Sequence, residues 1–440
     1  MKYRIIKLNP SQLLLVVFTV CILVGTLLLK LPFSTTESVS WIDALFTATS
    51  AMTVTGLVVV DTETAYTLFG EVVIASLIQM GGLGIMSFAV LIYMMLGKKI
   101  GIKERLLVQQ ALNQTSLGGV IQLVKNLFIF SITIELIAML FLSIRWVPEM
   151  GWGKGLYYSF FHSISAFNNA GFALWSDSLM GYVGDPVINI VITLLFIIGG
   201  IGFTVLSDLW YKKKFKKMPL HSKMMIIGTF VINIAAMLFI FALEYNNPHT
   251  LGSLNSLGDK VWASYFQAVT PRTAGFNSLD IAGLHDATIF LMLILMFIGA
   301  GSASTGGGIK LTTFLVILFA VLTFLKGKED TVLGKRSISL TVVLRSLAIS
   351  TIGLFFICVA IFILNITEDA PFIMVVFEVI SAFGTVGLSM GITGSLTFIG
   401  KVVVVFIMFI GKLGPLTLAF SLAHPEKAKI KYPNEDILTG

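Results

Sequence analysis

The stretch WIDALFTATSAMTVTGL, residues 41–57, decides the architecture. A helix needs roughly 20 residues to cross a hydrocarbon core about 30 Å thick, so this one is too short to cross. Ser40, followed three residues later by Asp43, is the S-x-x-D pattern of a helix start. The stretch closes on Thr53-Val54-Thr55-Gly56, where glycine admits a tight turn and a close backbone approach. A short amphipathic helix ending in such a turn reads as a segment that enters the membrane and returns.

The same text is written three more times. YYSFFHSISAFNNAGF (157–172), VWASYFQAVTPRTAGF (261–276) and FIMVVFEVISAFGTVGL (372–388) align with it on Gly56, Gly171, Gly275 and Gly387. Ten residues upstream stand Phe46, Phe161, Tyr265 and Phe377; six upstream stand Ser50, Ser165, Val269 and Ser381, the third being the odd one. A second mark follows in QMGGLG (79–84), IIGGIG (197–202), FIGAGSAS (297–304) and FIGKLGP (409–415). Its first glycine lies 25, 28, 24 and 24 residues after the aligned one. Each unit is an outer span, a short helix, a turn and a second span. Irregular backbone at membrane depth is tolerated where it is buried in protein or lines a water-filled cavity, so four such turns around one axis make a pore lining.

Composition agrees. Of 440 residues, 56% are hydrophobic and 12% charged, against about 25% charged in soluble domains. Apolar runs at 13–31, 72–96, 127–144, 187–206, 224–243, 289–325, 342–364 and 398–422 are each long enough to span. The predicted fold is an all-α membrane protein with eight transmembrane helices, in four pseudo-symmetric helix–pore-helix–helix repeats around one pore. The repeats cover 1–96, 97–210, 211–325 and 326–440, with turns at 53–57, 168–172, 272–276 and 384–388. The first run is too long for a signal-peptide core and lacks a small-residue cleavage site, so it stays as a span. Cys21 and Cys358 fall inside apolar spans, and His162, His221, His249, His285 and His424 are scattered, which offers no metal spacing. No HExxH, Ser–Lys pair or facing aspartates point to an enzyme. Alternating-access transporters also break helices, but usually through inverted repeats; these units keep one orientation.

The net charge of +7 is placed unevenly. Lys98, Lys99, Lys103 and Arg105 form one basic group, and Lys212, Lys213, Lys214, Lys216, Lys217 and Lys223 a second. Lys326, Lys328, Lys335, Arg336 and Arg345 form a third. These loops follow every second span, on the side of Lys2, Arg4 and Lys7 and of Lys427, Lys429 and Lys431. The positive-inside rule then predicts both termini in the cytoplasm. Nucleic-acid binding would explain one patch but not the alternation, so no nucleic-acid partner is expected.

The turns Thr53-Val54-Thr55-Gly56, Asn168-Asn169-Ala170-Gly171, Arg272-Thr273-Ala274-Gly275 and Gly384-Thr385-Val386-Gly387 carry no carboxylate. Backbone carbonyls remain as ligands for a monovalent cation, helped by the negative dipole ends of the short helices. Arg272 is expected to hold carbonyls outward, and Glu135 to pair with a neighbouring helix. The downstream glycines Gly81, Gly82, Gly84, Gly199, Gly200 and Gly202 read as close helix packing. In the third unit the second span is interrupted by Gly299, Ala300, Gly301, Ser302, Ala303, Ser304, Thr305, Gly306, Gly307 and Gly308, ahead of Lys310. Three successive glycines, each costing about 1 kcal/mol relative to alanine, make a poor helix. The bland reading is a kinked span; the sharper one is a loop that gates the pore. Lys412 is a cation inside an apolar span, which is costly and usually functional. It either snorkels, opposes permeation or anchors that loop.

The segments TVTGL, SAFNNAGF, TPRTAGFN, GSAST followed by GIKLTT, and SAFGTVGL resemble the superfamily of Trk, Ktr and HKT potassium transporters. Along essentially the whole chain the likeness is greatest to the membrane subunit of bacterial Ktr potassium uptake systems, the KtrB type. The resemblance implies four units like those of a tetrameric potassium channel, and a homodimer with one pore per chain in the bacterial inner or plasma membrane, among lipids. It maps the selectivity filter onto Gly56, Gly171, Gly275 and Gly387, with potassium coordinated by filter carbonyls, and it leaves sodium dependence open. Related plant proteins with serine at the first position prefer sodium; four glycines imply potassium. It also implies an intramembrane gate at 299–310 and a cytosolic RCK-type ring (KtrA or KtrC type), responsive to ATP, ADP and sometimes cyclic di-AMP. This chain has no GxGxxG-bearing βαβ segment, so nucleotide regulation is expected from that partner, with no organic cofactor on this chain. The family usually carries arginine where Lys412 stands, and lysine lacks its planar fork. Relatives often carry alanine or serine among the three glycines.

Overall fold

A computed structural model describes residues 10–84, 119–328, 330–333 and 336–415, with isolated positions at 87, 88, 90, 91, 94, 101, 106, 109, 417, 433 and 435. The basic residues of both termini, Lys98, Lys99, Lys103, Arg105 and Lys335 lie outside the described residues, as do most of 85–96 and 416–422.

Unit 1 is built from α1 (Pro10–Leu29), the short α2 (Trp41–Thr53), a single turn α3 (Thr62–Ala65) and α4 (Leu68–Leu83). Unit 2 has α5 (Val120–Met150), α6 (Trp152–Phe167), α7 (Pro186–Ile201) and α8 (Phe203–Lys212). Unit 3 has α9 (Leu220–Glu244), α10 (Leu257–Val269), α11 (Asp286–Phe297) and α12 (Leu311–Leu325). A hairpin of β1 (Val332–Leu333) and β2 (Arg336–Ser337) leads to unit 4: α13 (Leu340–Thr367), α14 (Phe372–Gly384) and α15 (Phe398–Leu413).

Local chemistry sets the starts. Ser40 accepts from the Asp43 N–H at 3.2 Å, as its S-x-x-D spacing predicts. Asp185 accepts from Val187 and Ile188, and Pro186 occupies the first turn, where its missing N–H costs nothing. Thr67 and Thr397 cap α4 and α15 in the same way.

The four opening helices are the ones long and apolar enough to cross a bilayer singly: Gln12–Leu29, Ile121–Met150, Leu220–Glu244 and Leu340–Thr367, among the described residues. They turn apolar faces outward, with Leu140 63% and Ile144 64% exposed, which suits lipid rather than water. The short helices are the opposite case: residues 46–53 are all buried, as are 163–167 and 381–384.

One packing rule closes the molecule. The second helix of each unit lies against the short helix of the next: α4 on α6, α7 on α10, α11 on α14, and α15 back on α2.

The second helices are shorter than hydropathy predicts. The run 187–206 is not one straight span, because α7 and α8 meet at 95° across Gly202 at φ +104°. The run 289–325 divides into α11 and α12 around a non-helical segment. α4 and α15 likewise stop at Gly84 (φ +84°) and Gly414 (φ +86°). The closing glycine of the second mark is therefore a helix terminator in three units. Packing accounts for the opening glycine instead. A Cβ on Gly81, Gly199 or Gly411 would stand 1.9, 1.9 or 2.0 Å from the carbonyl oxygen of Met52, Phe167 or Phe383, near the end of a short helix.

Candidate ion-conducting site

Each turn takes its shape from the last residues of its short helix. In units 1, 2 and 4 the amides of Thr55, Ala170 and Val386 each donate at 2.8 Å to the carbonyls of Ser50, Ser165 and Ser381. The serine hydroxyls complete the turn. Ser50 and Ser381 accept from the amides of Gly56 and Gly387 at 3.0 and 3.2 Å, and Ser165 donates to the Phe172 carbonyl at 2.7 Å. Unit 3 has Val269 at this place. There the neighbouring Thr270 takes over, donating to the Phe276 carbonyl, while its own carbonyl accepts from Ala274 at 3.0 Å.

The backbone alternates in hand. Val54, Asn169, Thr273 and Thr385 have φ of +58°, +58°, +71° and +48°, and two residues later Gly56, Gly171, Gly275 and Gly387 have +90°, +71°, +81° and +92°. Left-handed valine and threonine are uncommon because the branched Cβ crowds the chain, so their recurrence at one place in four units is a property of the turn.

The four turns meet. A Cβ on Gly56 would stand 2.4 Å from the Ala170 carbonyl oxygen, and one on Gly171 3.2 Å from that of Ala274. On Gly275 it would stand 2.2 Å from Val386 O, and on Gly387 2.1 Å from Thr55 O. Each glycine thus faces the carbonyl preceding the next glycine, in chain order, until the fourth returns to the first. Only glycine fits at any of the four.

On one side of this ring lies a mouth cavity of ≈ 290 Å³, which all four ring glycines line together with Trp175, Asn277, Ser389 and Thr393. Ion pairs tie neighbouring units together, Lys401–Asp43 at 2.7 Å and Lys154–Glu63 at 3.1 Å. Partial burial pushes the Glu63 carboxyl up, but hydrogen bonds from Tyr158 and Lys154 hold it below the ordinary range.

On the other side lies the segment 299–310. It is held to unit 2 through Gly301 N–H to Gly200 O at 2.8 Å and Phe203 N–H to Ala303 O at 2.8 Å. It is held to unit 4 through Gly308 N–H to Gly411 O at 3.1 Å and Gly307 N–H to Thr385 Oγ1 at 2.9 Å. Thr305 Oγ1 lies 3.1 Å from the side chain of Asn169, which lies 3.3 Å from Thr273. The loop therefore reaches side chains of turns two and four directly. Its glycines serve close approach: a Cβ on Gly306 or Gly307 would stand 2.2 or 2.4 Å from the hydroxyl of Thr273 or Thr385. Two ammonium groups hold its carbonyls. Lys412 Nζ donates to Thr305 O, and Lys310 Nζ donates to Gly306 O at 2.5 Å. A second cavity of ≈ 190 Å³ opens beneath, lined by Lys310, Arg345 and Lys412 with no carboxylate among its described lining residues.

One expectation changes and another is extended. Arg272 does not hold ring carbonyls outward: its recorded hydrogen bond runs from Nη1 to Asn233 Oδ1 on α9 at 3.2 Å, and among the described residues its buried Nε has no partner. Its side chain reaches α9 rather than a ring carbonyl. Glu135 does pair with a neighbouring helix, through Gln79 Nε2 at 3.0 Å, but the network continues. Gln79 Oε1 accepts from Asn168 at 2.6 Å, so Glu135 is joined to the second turn through a side chain of unit 1. Gln79 opens the second sequence mark; its polarity inside an apolar helix was the signal.

Re-entrant helices closing a glycine ring among membrane-crossing helices define a multi-pass membrane transport protein of the four-unit pore class. The chain belongs to the TrkH family, described as cation transport proteins, whose model matches residues 8–432. This is a transport family, not a family of enzymes. The chain is 60% identical over 435 residues to Ktr system potassium uptake protein B of Bacillus subtilis, covering 99% of this chain and 98% of that one. It is 45% identical to the protein of the same name from Vibrio alginolyticus (99% and 96% covered) and 40% identical to potassium/sodium uptake protein NtpJ of Enterococcus hirae (100% and 99% covered). The crystal structure of the potassium transporter TrkH from Vibrio parahaemolyticus shares the fold, with a TM-score of 0.76, covering 96% of this chain and 86% of that one at 22% identity.

Proposed function

We propose that this chain takes up potassium across the cell membrane through the ring of Gly56, Gly171, Gly275 and Gly387, with the carbonyls of residues 53–56, 168–171, 272–275 and 384–387 replacing the ion's water. The observation that carries this reading is the closed ring, in which each glycine abuts a carbonyl of the following unit. Such oxygens are what a desolvated monovalent cation needs. Relatives named as potassium uptake proteins at 60% and 45% identity support the choice of ion, while the name of NtpJ includes sodium as well.

The segment 299–310 is the gate in this reading, and Lys412 its latch. A loop bound to two turns from below, above a cavity lined by three cations, opposes cation passage both sterically and electrostatically. The mouth cavity faces outside and both termini face the cytoplasm, where an RCK-type nucleotide-binding ring of the KtrA or KtrC type releases the gate. Two chains pair as a homodimer with one pore each.

The test is growth of a potassium-uptake-deficient bacterium on limiting potassium, with and without this chain and its partner. Rescue is expected with both together, and weaker rescue with this chain alone. No rescue by a chain shown to reach the membrane with its partner present overturns the reading.

A further inference from the structure

Nine residues before the ring glycines stand Thr47, His162, Phe266 and Glu378. In three units this side chain is polar, buried and bonded to the chain that follows the turn. Thr47 Oγ1 accepts from Tyr66 Oη at 3.1 Å, and His162 Nε2 accepts from the Leu174 amide at 3.2 Å. Phe266 has no such group and packs edge-on against Phe196, their ring centroids 5.9 Å apart. Glu378 makes the most of the position: Ser389 Oγ lies 2.7 Å from Oε2 and Thr393 Oγ1 2.5 Å from Oε1.

Glu378 is fully buried and takes part in none of the recorded ion pairs. An ionised carboxylate so placed carries a desolvation penalty of several kcal/mol with no cation to offset it. Hydrogen-bond counting points the same way. Thr393 Oγ1 and Ser389 Oγ also lie 3.0 Å apart, so carboxyl and hydroxyls form a triangle of three contacts. Each contact needs one proton, and two hydroxyls supply two. A protonated carboxyl supplies the third: Oε1–H donates to Thr393 Oγ1, Thr393 donates to Ser389 Oγ, and Ser389 donates back to Oε2. The Ser389 oxygen accepts in addition from the Gly391 amide at 3.0 Å, which pins the segment further.

That segment borders the pore. Ser389 is two residues past Gly387, and Ser389, Gly391 and Thr393 line the mouth cavity with it. We propose that Glu378 is a positioning residue for ion selection: as a neutral acid it fastens the segment after the fourth turn to α14, and so fixes the carbonyl ring at Gly387. The inference rests on the ring being the ion-selecting site, and it adds a residue that no ion touches.

The test uses the full chain in proteoliposomes, reading rubidium uptake against competing sodium, with size-exclusion behaviour as the check on folding. Glu378→Ala should lower rubidium-over-sodium discrimination about tenfold, whereas Glu378→Gln, which supplies both a donor and an acceptor, should recover it to within about twofold of the parent. The pair Ser389→Ala with Thr393→Val should reproduce the alanine effect, with no further loss when all three changes are combined. A folded Glu378→Ala protein with the parent's discrimination overturns the proposal, and so does a glutamine variant as impaired as alanine. If Glu378→Ala does not fold, the hydroxyl pair decides: parental discrimination there also overturns it. Gly387→Ser separates the two levels. Discrimination that survives Gly387→Ser sinks the ring reading itself, whereas discrimination lost there but kept in Glu378→Ala sinks the positioning role alone.

Discussion

A methyl group at Gly387 would stand 2.1 Å from a carbonyl oxygen on backbone at φ +92°, while at Gly200 the nearest atom is Asn169 Nδ2 at 3.3 Å. Gly387→Ala should therefore lower potassium-over-sodium discrimination about tenfold, or roughly 1.4 kcal/mol, while Gly200→Ala stays near the parent. Competitive uptake measures both, and equal effects would remove the ring from ion selection. Ser381→Ala is a milder probe. It removes the hydroxyl that accepts from the Gly387 amide at 3.2 Å, a bond worth about 1 kcal/mol, and should shift discrimination less than Gly387→Ala does. At this scale the sequence was half legible. The serine column six residues before the glycine is visible in three units, yet its bond to the turn is not. Thr270 could not be found from that column at all, because the backbone bond that closes the turn in unit 3 spans one residue fewer, which moves the hydroxyl by one position. Arg272 misled for a related reason: proximity in sequence to a turn does not say which way a long side chain leaves it.

At the scale of elements, the short helices and their turns could be read because their amphipathic pattern and their length conflict with spanning. The loop at 299–310 was legible for the same kind of reason, three glycines in a row. The break between α7 and α8 was not. Apolar residues continue through IIGGIGFTVL, and hydropathy is blind to a single backbone angle. Loop and break are bonded to each other through Gly200, Gly301, Ala303 and Phe203, so neither is an isolated irregularity. Lys412→Ala removes both a charge beside the lower cavity and the contact with the Thr305 carbonyl. Flux without the regulatory partner should rise several-fold with ion preference unchanged, and shortening the loop should act in the same direction. A folded, shortened protein that conducts no faster than the parent in proteoliposomes would show that the loop is not the barrier.

Over the whole molecule, the four-unit plan was legible because two marks recur at nearly constant spacing, whereas the order in which units touch was not, since nothing in a repeat says which neighbour it meets. The exposed lysines 212–217 follow α7 and α8, and Lys212 is already paired with Asp208 at 2.6 Å. Changing Lys213, Lys214, Lys216 and Lys217 to glutamine should weaken co-purification with the regulatory ring proposed above, most of all at low salt, where exposed charges are least screened. Unchanged recovery across a salt series would discredit a docking role for this patch. The packing of α15 on α2 bears on how the protein is made. Asp43 meets Lys401, 358 residues later, and Gly387 meets Thr55. A ribosome must therefore deliver nearly the entire polypeptide before the circle can shut. Partial chains ending before α14 hold three of the four quadrants and lack Gly387, so ribosome-arrested chains ending there should carry no selective potassium current in vesicles. The cell membrane is thus spared a permeant intermediate while the protein is being built.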